Sequence, residues 1–292
     1  MIVQMNNYQK LTDRYGDYYL NSFTIQNKEP MVSIIMSVHN GMPFLIEAMK
    51  SVQQQTWTDF EFIIINDGSS DDSGGYIEKN QGNDKRIILI KQSNLGLTKS
   101  LNRGIKISKG EYIARIDADD IWHKDKLAKQ IKYLEAHPNC ALLGTAYQRI
   151  DANGAYLGEA TIAIFNSDNL IRDAITKFNP FFHSSVIFRR DACMQLGGYD
   201  EFYRYAQDYN LWVRFIAKYS VANLPEILAF QRITQDNISI KKERKQRWYA
   251  LKSKLLAIKL LKLNVLHYYH LLNNIAIIIL PTSLVKLIRI LK

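Results

Sequence analysis

A chain of 292 residues has room for one large domain, or for one domain with an appendage, and 47% hydrophobic content supports a substantial core. Two cysteines, Cys140 and Cys193, exclude a disulfide framework and point to a reducing compartment. The net charge of +10 is lopsided: residues 241–292 hold twelve Lys/Arg and one acid, Glu243, leaving 26 basic and 27 acidic residues in 1–240. That split argues against a nucleic-acid groove in the body and assigns the basicity to the tail.

Residues 1–30 are polar and rich in Tyr and Asn without clear periodicity, and read as an arm ending at Pro30. They lack a basic region followed by an apolar run, so no signal peptide is expected and the chain reads as cytoplasmic. Val32–Val38 is an apolar run of strand length, Asn40-Gly41-Met42-Pro43 a turn, and Phe44–Gln54 has helical spacing. Phe60–Ile65 is a second buried strand, running into Asn66-Asp67-Gly68-Ser69-Ser70-Asp71-Asp72. Arg86–Lys91 is a third, followed by Asn94-Leu95-Gly96 and a helix to about Ser108. A fourth strand follows Gly110, and Lys124–Ala136 is the next helix. Strand and helix alternate through short Gly/Asn/Asp connections, which predicts an α/β fold with a mainly parallel sheet covered on both faces. Ligands on such sheets bind beyond the carboxyl ends of the strands. Asn40, Asp67, Asn94 and Asp117 all fall there, so four polar clusters are expected on one rim.

Beyond residue 137 the rhythm changes. Ala141–Ile150 and Tyr156–Thr161 flank Asp151-Ala152-Asn153-Gly154 as a predicted hairpin. A polar helix at Asp168–Thr176 precedes Asn179-Pro180-Phe181-Phe182-His183-Ser184-Ser185 and a strand at Val186–Arg189. Gly197-Gly198-Tyr199-Asp200 reads as a loop, Gln207–Tyr219 as a helix and Val221–Phe230 as a strand.

The stretch Gly110–Asp120 ends a short strand in three carboxylates, Asp117, Asp119 and Asp120. Residues 117 and 119 share a face if the extended chain continues. Crowded carboxylates repel one another, and hard divalent cations with a taste for oxygen ligands and phosphates relieve the repulsion. The competing reading is a solvated acidic turn with Asp120 capping the next helix. Asp67, just past a strand, could accept a hydrogen bond from a nucleobase, or belong to a plain turn. Asp208 opens a helix whose buried face carries Leu211, Trp212 and Phe215, where the macrodipole favours its ionised form. A carboxylate at the mouth of the sheet could take a proton from an incoming hydroxyl, or serve simply as a helix-start acid. His183, after an aromatic turn, could wall a pocket or be a satisfied core histidine; His39 and Trp122 read as packing residues.

Taken in order, Ser33–Asn40, Asn66–Ser70, Asn94-x-Gly96 with Leu101-Asn102-Arg103-Gly104, Gly110–Asp120, Asn179–Arg189 and Gly197–Arg214 resemble the family-2 glycosyltransferases over roughly residues 31–240. The resemblance implies a GT-A fold, with a nucleotide-binding half at 31–137 and an acceptor-binding half at 138–240. It also implies inverting transfer from a nucleotide-sugar, with a UDP-sugar as the expected donor, to a hydroxyl of a glycan or lipid-linked acceptor in cell-surface polysaccharide assembly. On this reading Asp67 binds the uracil ring beside Ser37, His39 and Asn40, with Asn94 on the same side. Asp117 lies near the ribose, Asp119 with Asp117 holds Mn²⁺ or Mg²⁺ on the diphosphate, and Asp208 is the general base. Arg115 and His183 sit in family motifs. There are three departures: Gln207 replaces the common Glu before the base, Leu101 replaces an Arg that Arg103 could stand in for though facing another direction, and Thr234 replaces a His in Arg232-Ile233-Thr234.

Residues 241–292 read as a Lys/Leu-rich helix to about Leu266, with no charged residue from Leu263 to Val285. Polar residues and Pro281 interrupt that run, and Leu284–Lys292 is basic and amphipathic. Between a spanning helix, a soluble cap and an interfacial helix, the composition favours the last, on anionic lipid at the inner face of the cell membrane. The rival functions are a sugar-1-phosphate nucleotidyltransferase and a catalytically silent membrane-surface scaffold. The first wants a Gly/Arg/Lys-rich phosphate loop after the first strand, and Val38-His39-Asn40-Gly41-Met42-Pro43 offers none. The second leaves Asp67, Asp119 and Asp208 unexplained.

Overall fold

The computed structural model describes residues 8–21, 29–160, 166–234 and 242–279. Its spine is four parallel strands in the order β5 (Ile87–Gln92), β4 (Phe60–Asp67), β3 (Val32–Val38) and β6 (Tyr112–Arg115). β3 and β4 are apolar almost end to end because both faces are covered. On one face Ile34, Met36, Phe62 and Ile64 pack with Leu45, Ala48, Met49 and Val52 of α1 (Leu45–Gln53), Ile77 of α2 (Ser73–Asn83), and Leu127 and Ile131 of α4 (Lys126–Ala136). On the other, Ile35, Ile63 and Ile65 meet Leu101 and Ile105 of α3 (Leu97–Ile107), in the core that also buries Ile171 of α5 (Asp168–Ala174), Cys193 of α6 (Arg190–Gln195), and Leu211, Trp212 and Phe215 of α7 (Gln207–Lys218).

A buried polar knot fixes the far end of the spine. Ser33 Oγ donates to Glu61 (2.6 Å) and accepts from Gly110 N (2.8 Å), while Lys109 N donates to the same Glu61 oxygen (2.7 Å). A Cβ at Gly110 would stand 2.5 Å from Ser33 N, so only glycine lets β6 start here and deliver Asp117 to the opposite rim.

The remaining strands make the sheet mixed. β9 (Ile187–Arg189) lies antiparallel between β6 and β8 (Cys140–Ile150), and β10 (Ser220–Arg232) runs parallel to β8. Strand β10 extends two residues past the expected Phe230 and thereby brings Arg232 into the sheet. β7 (Ile121–Trp122) pairs antiparallel with its end, Trp122 opposite Ala229, so the acidic triplet lies on a connection clamped at both sides. The turn at Asp151–Gly154 forms, with Asp151 N donating to Ala155 O (2.8 Å), but its second arm is a single bridge, Ile150 to Tyr156. The last expected residue of that arm, Thr161, lies outside the described residues.

The N-terminal stretch, expected as an arm without clear periodicity, carries two strands. β1 (Tyr8–Asp13) and β2 (Gly16–Asn21) form a hairpin, and β2 adds antiparallel to β5. At the C-terminal end, α8 (Glu243–Leu260) packs along α7 and stops at a left-handed Lys262 (φ 51°), short of the expected Leu266. A 3₁₀ turn at Val265–Leu271 and α9 (Leu272–Ile279) follow. Among the described residues no helix is long and apolar enough to cross a membrane; the basic stretch Leu284–Lys292 lies outside them.

Candidate active site

Four strand ends and one helix start form the site. The loops after β3 and β4 bind each other: Asn40 Oδ1 accepts from Ser70 N (2.8 Å), Gly41 N donates to Ser73 Oγ (2.9 Å), and His39 Nδ1 lies 3.0 Å from Asp67 O. Asn94, on the loop after β5, brings Nδ2 within 3.1 Å of His39 Nε2. Gly68 has φ +72°, and a Cβ there would stand 2.8 Å from Asn94 N, so glycine alone allows the loops to close. Ser37 sits opposite Ile65 near the end of β3.

Asp67 holds this corner together. It is 2% exposed, and its carboxylate accepts from Leu95 N (2.8 Å), Gly96 N (2.9 Å) and Gln92 Nε2 (2.7 Å). Three of about four acceptor positions are thus committed to the protein, with one left for a ligand donor. Gln92 in turn accepts from Arg103 Nη1 (2.5 Å), and Arg103 makes a bidentate pair with Asp13 at 2.6 and 3.0 Å. Arg103 therefore does not stand in for the arginine replaced by Leu101. It turns away from the rim, toward the N-terminal hairpin, and supports Asp67 from behind.

The acidic triplet divides its work. Burial alone would raise the Asp117 carboxyl, but its ion pair with the buried Arg115 more than offsets this and holds it below the ordinary carboxylate range. Asp120 is 3% exposed; it accepts from Ser184 Oγ and from Arg232 N (3.0 Å), and burial beside Asp119 and Asp117 raises it well above the usual range. It does not cap α4, which excludes the solvated-turn reading. Asp119 is pushed up to about 6 by burial and by Asp117. A carboxyl in that state has its charge under-compensated by the protein, and the Asp117 and Asp119 oxygens are hard donors suited to Mn²⁺ or Mg²⁺. Among the described residues no three His, Cys, Asp or Glu side chains are grouped to hold a metal alone, so the rest of a cation's shell would be substrate phosphate and water.

Arg232 locks the loop that carries these acids. Its guanidinium donates to Asp119 O (3.0 Å), Asp151 O (3.1 Å) and Ala152 O (2.9 Å), pairs with Glu47, and lies 4.7 Å from the Phe44 ring centroid. Ser184 is the second hub. Its hydroxyl accepts from Asp117 N (2.9 Å), and Trp122 Nε1 donates to its carbonyl (2.6 Å). Spacing gave no signal for either role beyond their membership in the quoted motifs.

Asp208, in the first turn of α7, is half-buried and accepts from Asn179 Nδ2 (2.8 Å). Its carboxyl is raised above the ordinary value by burial, with Arg115 pulling the other way. Burial thus outweighs the helix macrodipole, reversing the expected direction. His183 is buried, with Nε2 2.8 Å from Tyr199 Oη, and burial together with Arg115 lowers it well below its usual value. It is a neutral, satisfied histidine walling the space between Arg115 and Tyr199.

The model of glycosyl transferase family 2 matches residues 33–197, more than half of the chain. The chain belongs to that family. The amylovoran biosynthesis glycosyltransferase AmsE of Erwinia amylovora is 32% identical over 76% of this chain and 82% of its own. The glycosyltransferase MJ1057 of Methanocaldococcus jannaschii is 34% identical over 89% of this chain and 93% of its own. Among solved structures, S. aureus TarS 1-349 in complex with UDP superposes with a TM-score of 0.60 at 16% identity, over 78% of this chain and 65% of that one. The mannosyltransferase PcManGT of Pyrobaculum calidifontis, with GDP-Man and Mn²⁺, gives 0.63 at 17% over 90% of this chain and 79% of that one. These likenesses establish the GT-A fold. The glycosyltransferase thus presents Asp67, the Asp117–Asp120 loop and Asp208 on one rim of that fold.

Proposed function

We propose that this glycosyltransferase moves a sugar from a UDP-sugar to a hydroxyl of a glycan or lipid-linked acceptor, with inversion and with Mn²⁺ or Mg²⁺ on the donor diphosphate. The observation that carries the reading is Asp208: a carboxyl with its basicity raised by burial, on the same side of the sheet as the acid loop but on a separate element. UDP bound to TarS, and GDP-Man with Mn²⁺ bound to PcManGT, support the donor class and the metal. The remaining Asp67 lone pair faces the uracil in this reading, with Ser37, His39, Asn40 and Asn94 around the nucleoside. Asp119, with Asp117, would hold the cation, which when bound stabilises the charge on the departing nucleoside diphosphate.

Asp208 takes the proton of the acceptor hydroxyl. The hydroxyl oxygen then attacks the anomeric carbon from the face opposite the diphosphate, the anomeric C–O bond breaks, and the configuration inverts. Asn179 aims the Asp208 carboxylate, and Arg115 keeps Asp117 ionised. No protein nucleophile is required. The basic tail 241–292 would bring the enzyme to an anionic membrane surface at the cytoplasmic face, as in assembly of cell-surface polysaccharide.

A panel of UDP-sugars tests this without a known acceptor. Slow hydrolysis of an α-linked UDP-sugar in Mn²⁺ should release the β-anomer first by proton NMR, and EDTA should slow it about a hundredfold or more. Initial release of the α-anomer, or a rate indifferent to EDTA, contradicts the reading.

A further inference from the structure

A second cleft lies where the loop leading to Asp208 meets α8. It has a volume of about 430 Å³ and is lined by Arg204, Tyr205, Arg244, Lys245, Trp248 and Tyr249. Residues 244, 245, 248 and 249 are spaced to share one helix face, and the loop closes the other wall. The walls are held together by rings: Tyr249 packs against Phe202 (6.0 Å between centroids), Tyr203 (5.5 Å) and Tyr205 (6.0 Å). Lys252, one turn further on, lies 4.3 Å from the Phe202 centroid.

The lining has three cations and no carboxylate. Among the described residues Arg204 and Lys245 make no ion pair; Glu243, the single acid of α8, pairs with Arg247 at 3.6 Å. Trp248 and Phe202 are both exposed at this cleft, with Lys252 Nζ 5.2 Å from the Trp248 centroid, so the aromatic wall is a patch and not an isolated ring. The two charges of Arg204 and Lys245 already exceed what a lone carboxylate balances, whereas a diphosphate carries two to three negative charges and suits the guanidinium fork. The aromatic wall suits an apolar chain attached to that anion.

Tyr205 is three residues from Asp208, and only the left-handed Ala206 (φ 50°) and Gln207 intervene. A ligand held in this cleft therefore touches the segment that positions the base. We infer that the cleft binds the phosphate or diphosphate of an amphipathic acceptor and so presents the acceptor hydroxyl to Asp208. The inference rests on the proposed glycosyl transfer, and it makes the start of the basic tail part of the acceptor site. The same chemistry could come from a phospholipid headgroup, so the test separates the two.

The full-length protein is titrated with farnesyl diphosphate in metal-free buffer, with farnesol as control, by calorimetry and by tryptophan fluorescence. In parallel, UDP is titrated with Mn²⁺, and sedimentation with phosphatidylglycerol vesicles is measured. The variant is Arg204→Gln with Lys245→Gln, both exposed positions. Farnesyl diphosphate, but not farnesol, should bind the wild type in solution and bind the variant about tenfold or more weakly. UDP affinity should be unchanged. Equal farnesyl diphosphate affinity in both proteins overturns the inference. So does absence of binding in solution with vesicle sedimentation lost in the variant, which makes the cleft a membrane contact. Farnesyl diphosphate binding with no UDP binding to the wild type overturns the glycosyl-transfer reading and leaves a lipid-phosphate site without its proposed role.

Discussion

Asp208→Asn is expected to lower transfer by about a thousandfold while leaving UDP affinity within a factor of two, because general-base catalysis typically contributes 10²–10⁴. The substitution is isosteric, and its amide oxygen can still accept from Asn179 Nδ2, which stands 2.8 Å from the native carboxylate. Loss of rate then reports the missing proton acceptor rather than a collapsed helix start. A pH profile gives a second readout. Burial raises the Asp208 carboxyl, and the base works only when deprotonated, so the wild-type rate should fall as pH drops through that raised value. The residual rate of the variant should lack this limb. Steady-state turnover of the UDP-sugar identified in the panel, measured from pH 4 to 8 (roughly the span over which a raised carboxyl titrates), checks both. Transfer that survives the substitution with its pH dependence intact removes Asp208 as the base.

The second large effect lies far from the acceptor. Arg103→Gln should destabilise the protein by about 3–5 kcal/mol, the usual consequence of leaving one member of a buried ion pair without its partner. Arg103 is fully buried and the Asp13 side chain is 4% exposed. The same substitution removes the support for Gln92, which donates to Asp67 Oδ1, the oxygen that also accepts from Leu95 N. Donor KM should therefore rise more than kcat falls, since the loss falls on ground-state nucleotide binding. Asp13→Asn keeps a hydrogen-bonding side chain on the hairpin and should give a smaller loss in the same direction. Urea unfolding of the wild type and both variants, followed by UDP titration at a urea-free temperature where all are folded, provides the comparison. An Arg103→Gln protein with unchanged stability and unchanged UDP affinity contradicts the relay.

That relay also shows where the amino-acid sequence stops being legible. Strands β3, β4 and β5 with their helices can be read because their residues are apolar on both faces and their connections are short. The rim residues then follow from the rule that strand ends face the ligand. The hairpin Tyr8–Asn21 could not be read: β1 is the edge strand and the two strands together bury only Tyr18 and Asn21, so the period-two signal is faint. Its pairing with β5 spans about seventy residues of chain, which no local pattern encodes. Helical spacing already turns Arg103 in another direction from the arginine that Leu101 replaces, but its partner Asp13, ninety residues away in the chain, is not legible from that spacing. The competing helix-cap reading of Asp120 is settled only by Ser184 and Arg232, far along the chain, which close over it. Asp208 was assigned to the right helix but with the wrong sign of shift, because the macrodipole is local and burial is a tertiary property.

Family membership fixes the class of reaction; the arrangement around Asp67 and Asp119 makes a narrower claim, that the rim is a metal-assisted UDP site. Calorimetric titration of the full-length protein with UDP, with and without Mn²⁺ and against GDP and dTDP, tests it most directly. The account predicts UDP-selective binding that strengthens at least about tenfold with Mn²⁺, and loses that gain in Asp119→Asn. Binding that is indifferent to Mn²⁺, or that prefers GDP or dTDP, would contradict it.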